Sequence, residues 1–272
     1  MKLKSILTAV AVGALSFSAH AAIINDNGTL ANNLNALSDD GTGSTTAFTD
    51  RYDLNIDQSS PDETWRLSGS GNGSAVMMFE IATFADANTF GIYDLSSNAT
   101  LQIFAGSDSN QSTVPVLPGG ATGSPESATK NLYSVTDTSG NLYFTTDNVN
   151  YSDAVLFSSS TFGFYLTSPD EGGQTFFSQQ SRNVDGEDHM VAYRGDDSLQ
   201  MDADNDGTFG TFTSNNYILA WEDLLMDGTS DRDYSDMVVM IESIVPVPEP
   251  GTLALLGLGL AGLGAARRRQ KV

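Results

Sequence analysis

Two acidic clusters hold most of the chemistry this chain offers. The first is Asp202-Ala203-Asp204-Asn205-Asp206-Gly207. Alternating Asp residues bring carboxylates together, and a following Gly permits a tight reversal, which is the first half of a calcium loop. Thr208 could add its backbone carbonyl. The twelfth position is Thr213, where an EF-hand needs a bidentate Glu, and no helical pattern flanks the run. The run therefore does not read as a true EF-hand. Two readings remain, a calcium-binding β-turn loop completed by a carboxylate from elsewhere and a solvated acidic turn.

The second cluster lies in YILAWEDLLMDGTSDRDYSDMVVMIESI, residues 217–244. A strand ends at Trp221-Glu222-Asp223, an acidic turn follows, and a second strand begins near Met237. A hairpin would place Glu222 or Asp223 near Asp233 or Asp236, with Asp231 close by. Carboxylates at that range repel unless Arg232 or a cation neutralises them. Calcium held by Glu222, Asp223, Asp231, Asp233 and Asp236 is one reading. A hairpin held by turn hydrogen bonds and an Arg232–Asp pair is the other.

Catalytic chemistry is sparse. The chain has no Cys, which excludes disulfides, thiolate metal sites and cysteine nucleophiles. Of its two His residues, His20 lies in a removable leader, so no His pair exists; His189 reads as a strand-edge residue rather than a ligand or base. The run Gly69 to Ser74, GSGNGS, lacks the Lys of a phosphate loop, and no G-x-S-x-G elbow is present. Glu80, Glu222 and Asp223 would make a glycosidase pair only at a specific separation. Trp65, Trp221 and the Tyr residues read as core, with a sugar-stacking platform as the other use.

The formal net charge is −22. Six of the 12 basic residues, Lys2, Lys4, Arg267, Arg268, Arg269 and Lys271, sit in the two end segments. The body between them is thus more acidic than the whole. It should repel nucleic acid, which needs clustered Lys and Arg, and attract divalent cations.

The elements that must position these acids read as strands. MMFEIATF (77–84), TFGIYDL (89–95), ATLQIFAG (99–106), NLYFTTD (141–147), STFGFYLTS (160–168), HMVAYRG (189–195), NNYILAWEDL (215–224) and DMVVMIESI (236–244) are short and rich in β-branched and aromatic residues. Gly, Asn, Asp, Ser and Pro clusters separate them. No stretch of the body shows a sustained helical period. The expected fold is all-β, an antiparallel β-sandwich of jelly-roll type. Residues 107–130 are the most linker-like stretch and read as a long loop within one sandwich rather than a domain boundary.

The ends differ from the body. Residues 1–21 have a positive start, a short apolar run and Ala19-His20-Ala21, the A-x-A pattern of a cleaved signal peptide, which implies the Sec export machinery and signal peptidase as partners. At the other end, Thr252 to Ala266 carries no charge, but a helix of that length covers only about 22 Å against a hydrocarbon core of about 30 Å. Gly257, Gly259, Gly262 and Gly264 weaken it further. Arg267, Arg268 and Arg269 follow and should stay cytoplasmic.

Pro248-Glu249-Pro250, a short apolar helix and a terminal Arg cluster together resemble the PEP-CTERM sorting signal, over residues 246–272. The resemblance implies a Gram-negative exporter, a transient inner-membrane intermediate, and an exosortase-type membrane protease that detaches the tail. A simple tail anchor is the alternative. Within the body, residues 22–245, the segments Ala220–Leu224 and Asp231–Val239 resemble domain-of-unknown-function family 4114, with Ser235 where Asn is common. Residues 160–244 are most like it. That resemblance implies an extracellular β domain of surface or matrix proteins without an established activity.

The expected function is therefore a secreted or surface-exposed, noncatalytic matrix protein, calcium-stabilised and associated with exopolysaccharide or biofilm matrix. A secreted polysaccharide-active hydrolase and a carbohydrate-binding module are the alternatives.

Overall fold

The computed structural model describes residues 22–26, 28–69, 72–79, 87–105, 108, 129–169, 173–228, 230–248 and 259, with side chains of 76–79 excepted. The leader residues Ala19 and Ala21, the tail residues Glu249, Pro250, Arg267, Arg268 and Arg269, and nearly all of the linker-like stretch lie outside these.

Among the described residues, helix α1 (Thr29–Ala36) precedes sixteen strands. They are β1 (Ser38–Asp39), β2 (Trp65–Leu67), β3 (Asn72–Phe79), β4 (Thr89–Asp94), β5 (Thr100–Ala105), β6 (Thr129–Thr136), β7 (Leu142–Thr145) and β8 (Val155–Phe157), then β9 (Phe162–Ser168), β10 (Gln174–Phe177), β11 (Met190–Arg194), β12 (Gln200–Met201), β13 (Gly210–Thr211), β14 (Asn216–Trp221), β15 (Met237–Glu242) and β16 (Ile244–Pro246). Seven of the eight strands read from the sequence are present within a few residues of their expected bounds; the eighth, 77–84, coincides with β3 at 77–79, and its residues 80–84 lie outside the described residues.

The strands form two large antiparallel sheets. One runs β11-β14-β15-β3-β6-β7-β8; the other runs β16-β2-β9-β4-β5, with β10 added to β9. The chain crosses repeatedly between them, from β3 to β4, back from β5 to β6, and again from β8 to β9. The stretch 106–128 thus joins facing sheets. Inward residues of both sheets share one core, in which Phe90 and Phe164 stack 5.5 Å apart and Trp221 meets Phe90 edge-on. This is the expected antiparallel sandwich.

A third layer was not legible in the sequence. Ala22 to Tyr52, including α1, packs with Leu199, Met201 and Phe212 over the outer face of β11, β14 and β15, burying Val191, Tyr193, Ile218, Ala220 and Val238. Strand β14 is consequently buried at every position. A strand covered on both faces reads as a continuous apolar run rather than an alternation, and NYILAW does so. Whatever follows Trp221 leaves this central strand deep inside the molecule.

Candidate metal centre

The hairpin of β14 and β15 pairs Trp221 with Met237. Glu222 and Asp223 therefore leave β14 just where Asp236 enters β15, and the Asp223 N–H donates to Asp236 Oδ2 at 2.8 Å. Two triads of carboxylates form. Oxygens of Glu222, Asp231 and Asp233 lie within 4.8 Å of one another, and so do oxygens of Glu222, Asp223 and Asp236. Glu222 belongs to both. Asp223 reaches towards the other sheet, where Asn88, just before β4, donates to its Oδ2.

Glu222 is the unusual member. Its side chain is fully buried, and only the Ser230 hydroxyl reaches its carboxylate, without full hydrogen-bond geometry. Burial pushes its pKa up to about 7, the Ser230 hydroxyl pulls it down, and the charges of Asp231, Asp233 and Asp223 raise it further. Burial, then the charges of Asp223 and Glu222, raise Asp236 well above the carboxylate range. Asp231, on the open side, is raised by burial and by Asp233. Arg232 does not neutralise the group. Its Nη2 donates to the Met226 carbonyl at 3.0 Å, and among the described residues it forms no ion pair with these acids. The Arg232–Asp pair expected of a purely structural hairpin is absent there.

The frame around the triads is rigid. His189 is fully buried, stacked on Phe176 at 4.0 Å; its Nδ1 lies 3.1 Å from the Glu222 carbonyl oxygen and its Nε2 3.0 Å from Asp185 Oδ2. The Glu222 N–H donates to the His189 carbonyl. The expectation of a strand-edge His thus gives way to a core residue that clamps the Glu222 backbone, because β10 and its Phe176 cover that end of β11. On the far side, Arg232 and Tyr234 take left-handed conformations (φ 59° and 54°), rare for side chains with a Cβ. Between them Asp233 is 4% exposed and accepts from the Ser235 N–H and Oγ. Asn25 N–H donates to the Arg232 carbonyl, which ties the N-terminal layer to this turn.

Asn88 was missed by sequence reading. It is fully buried, immediately before β4, and its Nδ2 donates to Asp223 Oδ2 at 2.9 Å. That bond fixes the amide and leaves Asn88 Oδ1 without a partner. No local pattern flags it, since 135 residues separate it from Asp223. Burial lifts two further acids near this end, Asp188 to about 7 and Asp62 well above its usual range.

The other predicted cluster is built differently. Asp202, Asp204 and Asp206 also bring oxygens within 4.8 Å, but the loop satisfies itself. Asp202 Oδ1 accepts from Asp206 N–H and Oδ2 from Gly207 N–H, both at 3.0 Å, and Asp206 Oδ1 accepts from Thr208 N–H. Gly207, at φ 89°, makes the reversal that the sequence implied. Asp202 is 5% exposed and its pKa is raised by burial, while Asp206 and Thr208 face solvent. The two predicted metal clusters remain separate groups.

Family models match two segments. Residues 150–243 match the domain of unknown function DUF4114. The chain carries a PEP-CTERM protein-sorting motif at residues 246–269. The motif begins at Pro246, the last residue of β16, and includes Pro248. It implies an exported protein, secreted or displayed at the surface of a Gram-negative bacterium, and processed by an exosortase-type system. The DUF4114 match starts ten residues before the segment expected to resemble it and takes in β8 to β15, hence all of both acidic clusters. No curated relative and no solved structure matches the chain.

Proposed function

We propose that this is a noncatalytic surface or extracellular-matrix protein whose exported body is locked by calcium at the end of the β14–β15 hairpin, and which meets acidic exopolysaccharide through bridging cations. The observation that carries the reading is Glu222, wholly buried among carboxylates and reached only by the Ser230 hydroxyl. Several ionised carboxylates are costly to bury together, and a hard divalent cation with all-oxygen ligands resolves that cost. Calcium suits an exported protein, which meets millimolar levels only outside the cell. Thermal melting of the purified protein in calcium and in chelator tests this. Calcium at a hundredfold excess over Kd should contribute about 2.7 kcal/mol, or roughly 5–10 °C in a chain of this size. Superimposable curves would remove calcium from the account.

The carbohydrate-binding alternative has one specific observation behind it. On the outer face of β4, β5, β9 and β10 lies a groove of about 480 Å³, lined by Tyr93, Asn98, Tyr165, Thr167, Phe177 and Arg182 among others. Gly163 makes room for it, because a Cβ there would meet the Tyr93 ring at 2.4 Å. Arg182 stacks over Tyr93 at 4.6 Å. Retarded migration in gels containing neutral polysaccharide, lost in Arg182→Ala, would favour this module; unaltered migration would count against it.

A further inference from the structure

We propose that the hairpin end holds two calcium ions rather than one, with the Glu222 carboxylate bridging them; this rests on the calcium reading above. The outer ion is held by Glu222, Asp231 and Asp233, and the inner ion by Glu222, Asp223 and Asp236. Two oxygens on one Ca²⁺, each about 2.3–2.6 Å away, can be no more than about 5 Å apart. Both triads fall inside that limit, their oxygens lying within 4.8 Å of one another.

Three observations favour two ions. The first is that Glu222 belongs to both triads, with only the Ser230 hydroxyl reaching its carboxylate from within the protein. A single ion would use one triad and leave the other without a cation. The second is charge. Five carboxylates meet here while Arg232 turns to the Met226 carbonyl, so in their ionised form one divalent cation balances two of the five charges and two balance four. The third is independent of the acids. Asn88, fully buried against Asp223, presents a carbonyl oxygen with no donor. A neutral hard oxygen beside Asp223 is the kind of ligand that fills out a calcium shell of 6–8 oxygens. It lies on the inter-sheet side, where the inner ion would sit. The outer position opens to solvent at Asp231, which leaves room for water ligands and an entry path.

The arrangement also links separate parts of the fold. The inner ion would join the approach to β4, in one sheet, to the β14–β15 hairpin in the other. The outer ion would fix the turn at Asp231–Asp233, to which the N-terminal layer is tied through Asn25 and the Arg232 carbonyl.

Native mass spectrometry of the intact protein titrated with calcium counts the ions. Glu222→Gln should retain two fewer than the unaltered protein, whatever the Asp202 loop binds. Asp231→Asn and Asp236→Asn should each lose one, and their combination two. If Glu222→Gln loses one ion, and the double variant also loses only one, calcium binding stands but the bridge does not. If none of the variants loses an ion, calcium at this hairpin is itself wrong. Lanthanide substitution gives a second readout that does not depend on any variant folding. Mixed Tb³⁺ and Eu³⁺ should show strong energy transfer with a shortened Tb³⁺ lifetime, as two ions on one carboxylate require. Independent lifetimes at saturation would overturn the bridge.

Discussion

Strand β4 connects two buried carboxylates that the protein treats in opposite ways. At its far end, Asp94 is fully buried and answered by the chain itself. It accepts from the N–H groups of Ser96 and Ser158 and the hydroxyls of Ser97 and Ser158. Burial raises its pKa, but those hydrogen bonds outweigh it and hold the group at about 2. At the near end, Asn88 bonds Asp223, whose neighbour Glu222 is equally buried, is reached only by the Ser230 hydroxyl and sits among other acids, at about 7. The same side-chain chemistry at the same burial is complete in one place and incomplete in the other. Burial alone therefore does not mark a site; burial without internal donors does.

Substitutions should expose this contrast by their signs. The largest effect is expected for Asp94→Ala, which strands four donors and removes a carboxylate favoured by the fold. We expect a loss of about 3–4 kcal/mol by denaturant unfolding, equal in calcium and in chelator. Glu222→Gln should do the reverse. In chelator near pH 8 it should stabilise the protein by about 2–3 kcal/mol, because it removes an ionised group whose pKa the fold has raised. In calcium it should destabilise. A destabilised Glu222→Gln in chelator would mean that the protein satisfies this carboxylate after all.

The pH dependence follows from the same pair. Glu222 has a folded pKa near 7 against an ordinary value of 4.5. Between these the folded state holds more protons than the unfolded one, so stability of the chelated protein should fall as pH rises from about 4.5 through 7. Asp94 acts in the opposite sense. Its contribution is present above the ordinary value of 3.8 and is lost as pH falls towards 2. Calcium should flatten the first slope and leave the second untouched, as melting temperatures across pH would show. The smallest effect is expected at the self-satisfied loop. Asp202→Asn should cost about 1 kcal/mol, since the amide keeps one of the two backbone acceptor contacts.

Much of the frame was legible because it follows from period. Strands such as β5, with Leu101 and Ile103 inward and Gln102 outward, announce themselves by alternation. The strands that escaped notice are short or polar. β1, β12 and β13 have two residues each, and β6 reads TKNLYSVT with one buried side chain, Leu132. Helix α1 was hidden because TLANNLNA offers only Leu30 and Leu34 as a spaced apolar pair; Asn33 and Asn35 fill the rest of its buried face, and Asn is a poor helix former. Missing α1 meant missing the layer that covers the outer face of β11, β14 and β15. Of the site, the hairpin logic brings Glu222 and Asp223 to Asp233 and Asp236 from sequence alone. The clamp by His189 and the amide of Asn88 depend on sheet pairings made far away in the chain, so nothing near them in sequence marks their part.

The central claim is that Glu222 is buried in order to meet calcium. The most direct measurement compares the calcium-induced rise in Tm for the unaltered protein, for Asp94→Ala and for Glu222→Gln. The unaltered protein and Asp94→Ala should show the same rise, from different starting temperatures, and Glu222→Gln should lose most of it. An undiminished rise in Glu222→Gln would place any calcium effect elsewhere in the molecule and contradict the account.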